Sequence, residues 1–378
     1  MAGLLDGVRK QLFELPRYET LGGRVLSGVR VGWESYGELN AERSNAILIC
    51  HYFSGTSHAA GRYAPGDPLP GYWDAIIGPG KPIDTDRFFV LSSDTLINLN
   101  VHDPKVATTG PASIDPASGK PYGLDFPIVE IGDFVRVQRE LVRSLGIEKL
   151  HAVAGPSMGG LQAFDWAVRF PEMVGRILPV ICAGAADPWL VAWLDAWAAP
   201  IALDAQWNGG DYYGKAAPTA GLLQALKMVA LHANDRPWAL ATFGTSPAAG
   251  GNPRAGLAQP FAIVDGLAQL AALRVALCDA NHLLYLARAN QLYVAGGADD
   301  LGAAMARVRA PVLYITTPTD HVFPPAATGA TAAALRDSGA RVRHLEIGGS
   351  FGHLNGLLTI GEAAEAIAAF MNDQPVAS

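Results

Sequence analysis

A serine between two glycines, at the junction of a strand and a helix, constrains this chain more than any other feature. An apolar run covers 150–154, then Gly155-Pro156-Ser157-Met158-Gly159 intervenes, and helical spacing resumes over 161–169 until Pro171 ends it. G-x-S-x-G by itself is a common string. An apolar strand that stops and a helix that opens around it are what a nucleophile elbow requires. The small neighbours let the main chain turn sharply and leave the serine Oγ exposed, and the helix N-terminus behind it favours developing negative charge. A Gly-rich loop that merely joined strand to helix would carry the same letters. The reading therefore depends on finding partners for the serine.

The rest of the chain supplies a parallel sheet around that turn. Residues 24–36 alternate between apolar and polar, and 46–50 (AILIC) and 88–92 (FFVLS) are short apolar runs bounded by turn residues, as buried strands are. Phe134, Val137, Leu141 and Leu145 share one helical face, with Asp133 placed to cap it and Gly146 to stop it. Further strands are expected at 177–182, 312–316 and 342–347, and helices at 326–338 and 362–371. Strands alternating with helices imply a mostly parallel sheet covered on both faces. The stretch 186–296 has helical patterning and little strand signal. The expected organisation is an α/β core over 1–185 and 297–378 with a helical lid insertion over 186–296. The Gly/Pro-rich stretches 103–121 and 246–256 are long loops, which are uncommon unless they line a site.

A serine hydroxyl needs a base, and the base needs an orienting acid. In the α/β-hydrolase fold these follow the serine in the order acid, then histidine. Asp320 stands in a turn just past the strand 312–316, and His353 in a Gly-rich loop past the strand 342–347. Both lie beyond the carboxyl ends of strands, where sites in such sheets are built. His321 and His344 compete for the role of base. His321 adjoins the acid rather than facing it, and His344 lies within a strand. Asp299 and Asp300 compete with Asp320 only weakly, since no strand precedes them. The oxyanion needs two backbone N–H groups. One is expected from Met158, directly after the nucleophile, and the other from Phe53, in the loop that follows the strand 46–50.

Composition removes several other classes. Half of the 378 residues are hydrophobic, 17% are charged and the formal net charge is −7, which gives no electrostatic reason to bind nucleic acid or anionic lipid. No apolar run reaches the 18 or so residues of a membrane helix. The stretch 1–16 mixes Asp6, Arg9, Lys10 and Glu14 among its apolar residues, unlike a signal peptide. Cys50, Cys182 and Cys278 are far apart and form no CxxC pair, which fits free thiols and a cytoplasmic protein. No histidine or carboxylate cluster has metal-ligand spacing, and Gly78-Pro79-Gly80-Lys81 lacks the spacing of a phosphate-binding loop. Neither metal nor cofactor is expected.

The sequence resembles the homoserine O-acetyltransferase family over most of its length. The resemblance is carried by HYFSGTSHAAG from His51, by Trp73-Asp74 with Gly78-Pro79-Gly80-Lys81 and Ile83-Asp84-Thr85, and by Thr109-Gly110-Pro111 with Gly119-Lys120-Pro121-Tyr122-Gly123. It continues in Asp125-Phe126-Pro127, Ser157-Met158-Gly159-Gly160-Leu161-Gln162, WNGGDYY from Trp207, and Asp320-His321-Val322-Phe323-Pro324-Pro325. It implies a Ser157–Asp320–His353 triad, a helical lid and a homodimer joined through lid helices. The departures bear on substrate. The family's transferases usually carry an Asp directly after the catalytic His, where it pairs with the substrate's amino group; here that position is Leu354. They also carry a Tyr-Arg pair in an early lid helix, whose Arg grips the substrate carboxylate. The corresponding stretch, 221–235, reads GLLQALKMVALHAND, and the family's two-glycine stretch is replaced by Ile97-Asn98-Leu99-Asn100.

A zwitterion enclosed without partners for its charges loses ~3–5 kcal/mol or more for each one left alone. Homoserine is therefore expected to be a poor acceptor, and an apolar Leu354 beside the base suits a small uncharged alcohol group. The family includes acetate esterases. The expected activity is a serine carboxylesterase acting on short-chain, acetate-type esters, with Leu354 and Tyr52 lining the substrate pocket. The alternative is transfer from an acyl-CoA to homoserine or another alcohol, which would want a basic rim such as Arg62, Lys105 and Lys120 for the CoA phosphates.

Overall fold

The computed structural model describes residues 5–373. Eight strands form one sheet: β1 (Gln11–Glu19), β2 (Val25–Tyr36), β3 (Ala46–Cys50), β4 (Phe89–Ser93), β5 (Ala152–Pro156), β6 (Ile177–Val180), β7 (Val312–Thr316) and β8 (Val342–Glu346). Their order is β1-β2-β4-β3-β5-β6-β7-β8, with β2 antiparallel to both β1 and β4 and the remaining pairings parallel. This is the expected α/β-hydrolase fold.

The central strands are buried on both faces, which is why they read as unbroken apolar runs. In β3, Ala46, Leu48 and Cys50 join one core, while Ile47 and Ile49 join the other. In β7, Val312 and Tyr314 divide from Leu313 and Ile315 in the same way. Each fully buried Leu or Ile contributes roughly 1.5–3 kcal/mol relative to exposure, so the strands that carry the site are the firmest part of the molecule.

Helices α1 (Ile131–Ser144) and α2 (Met158–Arg169) follow β4 and β5. Between β6 and β7 the chain forms α3 (Pro188–Leu203), α4 (Thr219–Ala233), α5 (Arg236–Phe243), α6 (Ala262–Val275) and α7 (Ala280–Gln291). Helix α4 packs on α3 and α6, and α3 packs on α7. A bridge between Ala185 and Val294 ties the two ends of this segment together. The last quarter adds α8 (Leu301–Met305), α9 (Pro325–Asp337), α10 (Asn355–Leu358) and α11 (Ala364–Met371). Among the described residues, no single helix is long and apolar enough to cross a membrane.

Several local expectations are corrected. Strand β1 was not anticipated, because most of its side chains lie on the exposed rim of the sheet. Helix α1 begins at Ile131 with Glu130 as its N-cap. Asp133 is the third helical residue and closes a capping box, accepting the Glu130 N–H at 2.8 Å. Helix α2 is not amphipathic: every residue from Met158 to Val168 is buried, so it is a core helix wedged behind the elbow. The final helix is preceded by a 3₁₀ turn at Ile360–Ala363.

Candidate active site

The elbow is built by close packing. Ser157 has φ 56° and ψ −122°, a conformation that costs an L-residue about 1–3 kcal/mol and persists only when its surroundings impose it. They do so here. The Ser157 N–H donates to the Val180 carbonyl at 2.8 Å. A Cβ on Gly155 would come within 2.6 Å of the Cys50 carbonyl oxygen, and one on Gly159 within 2.0 Å of it. The first turn of α2 is thus pressed onto the end of β3, beside the start of the 51–55 loop. Gln162 fastens this contact, donating to the carbonyls of His51 (3.3 Å) and Met158 (3.1 Å).

Loops past β7 and β8 complete the set. His353 Nε2 lies 2.8 Å from Ser157 Oγ, and its Nδ1 lies 2.8 Å from Asp320 Oδ2. Asp320 Oδ1 accepts the N–H groups of Val322 (2.8 Å) and Phe323 (2.9 Å), which fixes the carboxylate plane and leaves Oδ2 for the imidazole. Ser157, Asp320 and His353 are all buried. The chain therefore brings together the three residues singled out by their position after strands. The rival candidates are engaged elsewhere. His344 sits 2.7 Å from Thr316 Oγ1 and stacks on Tyr314. His321 is exposed and lies 3.3 Å from Asp235. Asp300 caps α8 through Ala303 N–H at 2.7 Å.

Met158 opens α2, so its N–H is one of the unpaired donors of a helix start. Neither it nor the Phe53 N–H donates to another group among the described residues. The loop bearing Phe53 is held by Asn98 and Asn100, which stand where the family has its two-glycine stretch, and by Arg274. Asn98 donates to the Gly55 carbonyl at 3.0 Å and to His51 Nε2 at 3.2 Å. Asn100 donates to the carbonyls of Ser54 and Gly55, each at 3.2 Å. Arg274, from α6, donates to the Ser54 carbonyl at 3.0 Å. Burial pushes His51 down to about 4, so it stays neutral; its Nδ1–H donates to the Tyr52 carbonyl at 2.7 Å while Nε2 accepts from Asn98. Ile97 is itself held at φ 51°. In the sequence only the spacing of Asn98 and Asn100 marks this turn; its burial and strain show in the structure alone.

Leu354 follows His353 in a 3₁₀ turn (Gly352–Leu354) and is half-buried. A Cβ on Gly352 would lie 3.1 Å from Asp235 Cβ and from the Asn234 main chain, so the end of α4 abuts the loop of the base. Tyr52 is half-buried, with its ring edge-on to Tyr72 at 5.3 Å. The long loop 103–121 borders the turn at Ile97 and Asn98, whose N–H groups donate to the Thr109 carbonyl and to Thr108 Oγ1. It packs on the start of α7, where Gly110 and Ala112 meet His282. Of the three cations considered for a basic rim, Lys105 lies 3.8 Å from Asp67 and over the Tyr63 ring. Arg62 pairs its main chain with Leu5 and Val8. Lys120 belongs to the separate loop around Tyr122 and Gly210. All three cysteines are free and buried.

Comparison with known proteins agrees with this fold. Residues 86–357 match the family described as the alpha/beta hydrolase fold. Homoserine O-acetyltransferase from Deferribacter desulfuricans is 38% identical over 360 residues, 93% of this chain and 91% of the relative. Among solved structures, esterase E22 is 47% identical with a TM-score of 0.93, covering 96% of this chain and all of that one. Homoserine O-acetyltransferase from Bacillus anthracis is 37% identical with a TM-score of 0.91, covering 98% and 99%.

Proposed function

The chain belongs to the homoserine O-acetyltransferase family of α/β-hydrolases, and on that premise we propose that it is a serine carboxylesterase hydrolysing short-chain, acetate-type esters. The observation that carries this reading is Leu354, an uncharged side chain directly after the base. The residues that abut the base loop are Asn234 and Asp235, just past the end of α4, and α4 itself holds no arginine. Asp235 is engaged with His321 and Arg274 with the Ser54 carbonyl, so neither charge stands free to match an ammonium–carboxylate acceptor, and an unpaired buried charge costs several kcal/mol. A neutral alcohol group and water carry no such penalty. The 47% identity to esterase E22 supports the same side of the choice.

His353 Nε2 takes the Ser157 proton as Oγ attacks the ester carbonyl, and Asp320 holds the imidazole in the tautomer this needs. The N–H groups of Met158 and Phe53 receive the oxyanion. His353 then protonates the departing alcohol. Water, deprotonated by the same histidine, attacks the acyl-serine and releases the acid. Leu354 and Tyr52 line the alcohol and acyl space, and no cofactor takes part.

A second reading, acyl-CoA-dependent O-acetyl transfer to homoserine or another alcohol, is favoured by the names of the curated relatives. The scattered placement of Arg62, Lys105 and Lys120 gives it little help. Two copies are expected to pair through the helical segment, whose Leu231, Leu240, Phe261, Val264, Leu270 and Leu273 are exposed apolar residues. The free, buried thiols fit a cytoplasmic setting.

The deciding experiment measures acetate release from a small acetate ester beside CoA release from acetyl-CoA with homoserine, using Ser157→Ala as control. Ester hydrolysis without homoserine acylation, lost in the variant, is the expected result. Homoserine-dependent release of CoA overturns it.

A further inference from the structure

The peptide joining Tyr52 to Phe53 carries the N–H taken above as an oxyanion donor and, on its opposite edge, the Tyr52 carbonyl. The bond is trans. A trans peptide is planar, with its N–H and C=O pointing in opposite directions. Whatever holds that carbonyl therefore aims that N–H. Two donors hold it, the Gly55 N–H at 2.9 Å and His51 Nδ1 at 2.7 Å. Both carbonyl lone pairs are thereby used.

The tautomer of His51 follows from its neighbours. The Asn100 N–H, which can only donate, lies 2.9 Å from Asn98 Oδ1. The Gly55 carbonyl, which can only accept, lies 3.0 Å from Asn98 Nδ2. The Asn98 amide therefore stands only one way round, with its NH₂ group 3.2 Å from His51 Nε2. That nitrogen must accept, so the proton of the neutral ring is on Nδ1, facing the Tyr52 carbonyl. His51 and Asn98 are 0% and 1% exposed, so these bonds lie in a low-dielectric interior, where linked hydrogen bonds polarise one another.

The Gly55 N–H already satisfies the Tyr52 carbonyl. The second bond, from His51, is thus not needed to avoid an orphaned acceptor, and its value is electrostatic. As negative charge develops on an oxygen at the Phe53 N–H, the peptide polarises and its carbonyl oxygen becomes more negative. The bond from Nδ1–H strengthens with it. That gain comes in the transition state and not in the ground state, which is the kind of interaction that raises kcat.

We propose that His51 is a positioning residue of the oxyanion hole: through the Tyr52–Phe53 peptide, its Nδ1–H aims the Phe53 N–H and shares the charge that forms there. This rests on the reading of Phe53 as an oxyanion donor. It is independent of whether the acyl group passes to water or to another acceptor, since both routes form the same oxyanion.

The test pairs steady-state hydrolysis of a short acetate ester with inhibition by a trifluoromethyl ketone, whose carbonyl adds to Ser157 and leaves a tetrahedral oxyanion in place of the transition state. His51→Phe keeps a ring and removes both nitrogens. His51→Asn keeps an N–H donor near the Nδ1 position and removes the acceptor that faces Asn98. His51→Phe is expected to lower kcat by about 10–100-fold with KM changed less than about threefold, and to weaken the ketone by the same factor as kcat. His51→Asn is expected to recover most of both losses. In wild-type enzyme with isotope-labelled histidine, the His51 Nδ1–H proton signal, identified by its absence from His51→Asn, should move downfield when the ketone binds. A folded His51→Phe protein with kcat within about threefold of wild type overturns the proposal. So does a loss of kcat that leaves the ketone's affinity unchanged, or a His51→Asn protein that loses tenfold or more. An Nδ1–H signal that stays in place overturns it too, and these last two results stand even where His51→Phe fails to fold. If the wild type leaves the ester intact but releases CoA from acetyl-CoA with homoserine, the esterase reading fails alone, and the same ratios are then taken from CoA release.

Discussion

Replacing Gly159 by alanine tests whether the oxyanion donors depend on the contact between α2 and β3. The new Cβ would stand 2.0 Å from the Cys50 carbonyl oxygen, where contacts under 3.0 Å are essentially never seen. The oxygen is main chain and the Cβ is fixed rigidly to its Cα, so neither can swing aside, and the two segments must part by about 1 Å. Met158 N–H rides on one segment and Phe53 N–H follows the other. Their convergence on one oxygen is therefore lost by a similar distance. Losing one such donor costs about 10²–10³ in kcat, or about 3–4 kcal/mol of transition-state stabilisation, and a 1 Å misplacement has a comparable effect. The ground-state ester gains little from those donors, so KM should move far less. Overpacking of this kind destabilises by about 1–3 kcal/mol, which lowers the melting temperature by several degrees without unfolding the protein at assay temperature. Steady-state kinetics on a short acetate ester, beside a thermal melt, reads both quantities. A folded Gly159→Ala protein with kcat within about threefold of wild type would refute the reasoning.

Other perturbations follow from the same contacts. In Asp320→Asn, the N–H groups of Val322 and Phe323 hold the amide oxygen at the Oδ1 position. The amide NH₂ then faces His353 Nδ1 and enforces the tautomer that cannot accept the serine proton. A drop of about 10⁴ in kcat with little change in KM is expected, and activity within tenfold of wild type would contradict it. Leu354→Asp sets a carboxylate beside the base and favours the imidazolium, so the acid limb of the kcat/KM profile should move to higher pH; an unmoved limb counts against contact between the two side chains. Glu34 tests a buried network away from the site. It accepts from Tyr36 (2.9 Å) and Tyr63 (2.6 Å) and pairs with Lys10 (2.9 Å) and His58 (3.0 Å). Burial alone would raise its pKa, but the His58 hydrogen bond, the Lys10 charge and the Tyr63 hydrogen bond outweigh burial and hold it at about 2 against the usual 4.5. A carboxyl lowered by folding stabilises above its unfolded pKa, here by about 3 kcal/mol, and loses that as pH falls toward 2. Asp94 in the same network is shifted upward by burial and works in the opposite sense. The stability difference between wild type and Glu34→Gln should therefore be greatest above pH 4.5 and shrink below it, and a difference independent of pH would exclude the network as its source.

The triad was legible because each member sits just past a strand whose apolar run stands out. The strands 46–50 and 312–316 were read to the residue, since both faces are buried and turn residues bound them. Where main-chain pairing rather than side-chain character decides, the reading slipped. Gly155 and Pro156 continue β5 by pairing with Pro179 and Val180, which no apolar pattern announces. Strand β1 is carried by its register with β2, from Gln11 opposite Trp33 to Glu19 opposite Val25, while most of its side chains are exposed. The hold on the oxyanion loop was hidden for another reason. Asn98, Asn100 and Arg274 act at one point from a loop and a distant helix, and only the packing of α6 against the core unites them.

The framework and the selectivity of the site thus have different origins in the chain. Strand ends fix Ser157, Asp320 and His353 to within hydrogen-bonding distance, and that arrangement serves hydrolysis and acyl transfer alike. Discrimination comes from what the helices between β6 and β7 place against it. A charged acceptor would need a charge facing it there, since its own desolvation is otherwise uncompensated. From that segment Asp235 is engaged with His321 and Arg274 with the Ser54 carbonyl, and Leu354 on the base's own loop is uncharged. A surface whose charges are already engaged selects by shape rather than by charge. Preference among neutral esters should therefore vary little with ionic strength, because screening acts on charges, and a steep salt dependence would show that a free charge faces the substrate.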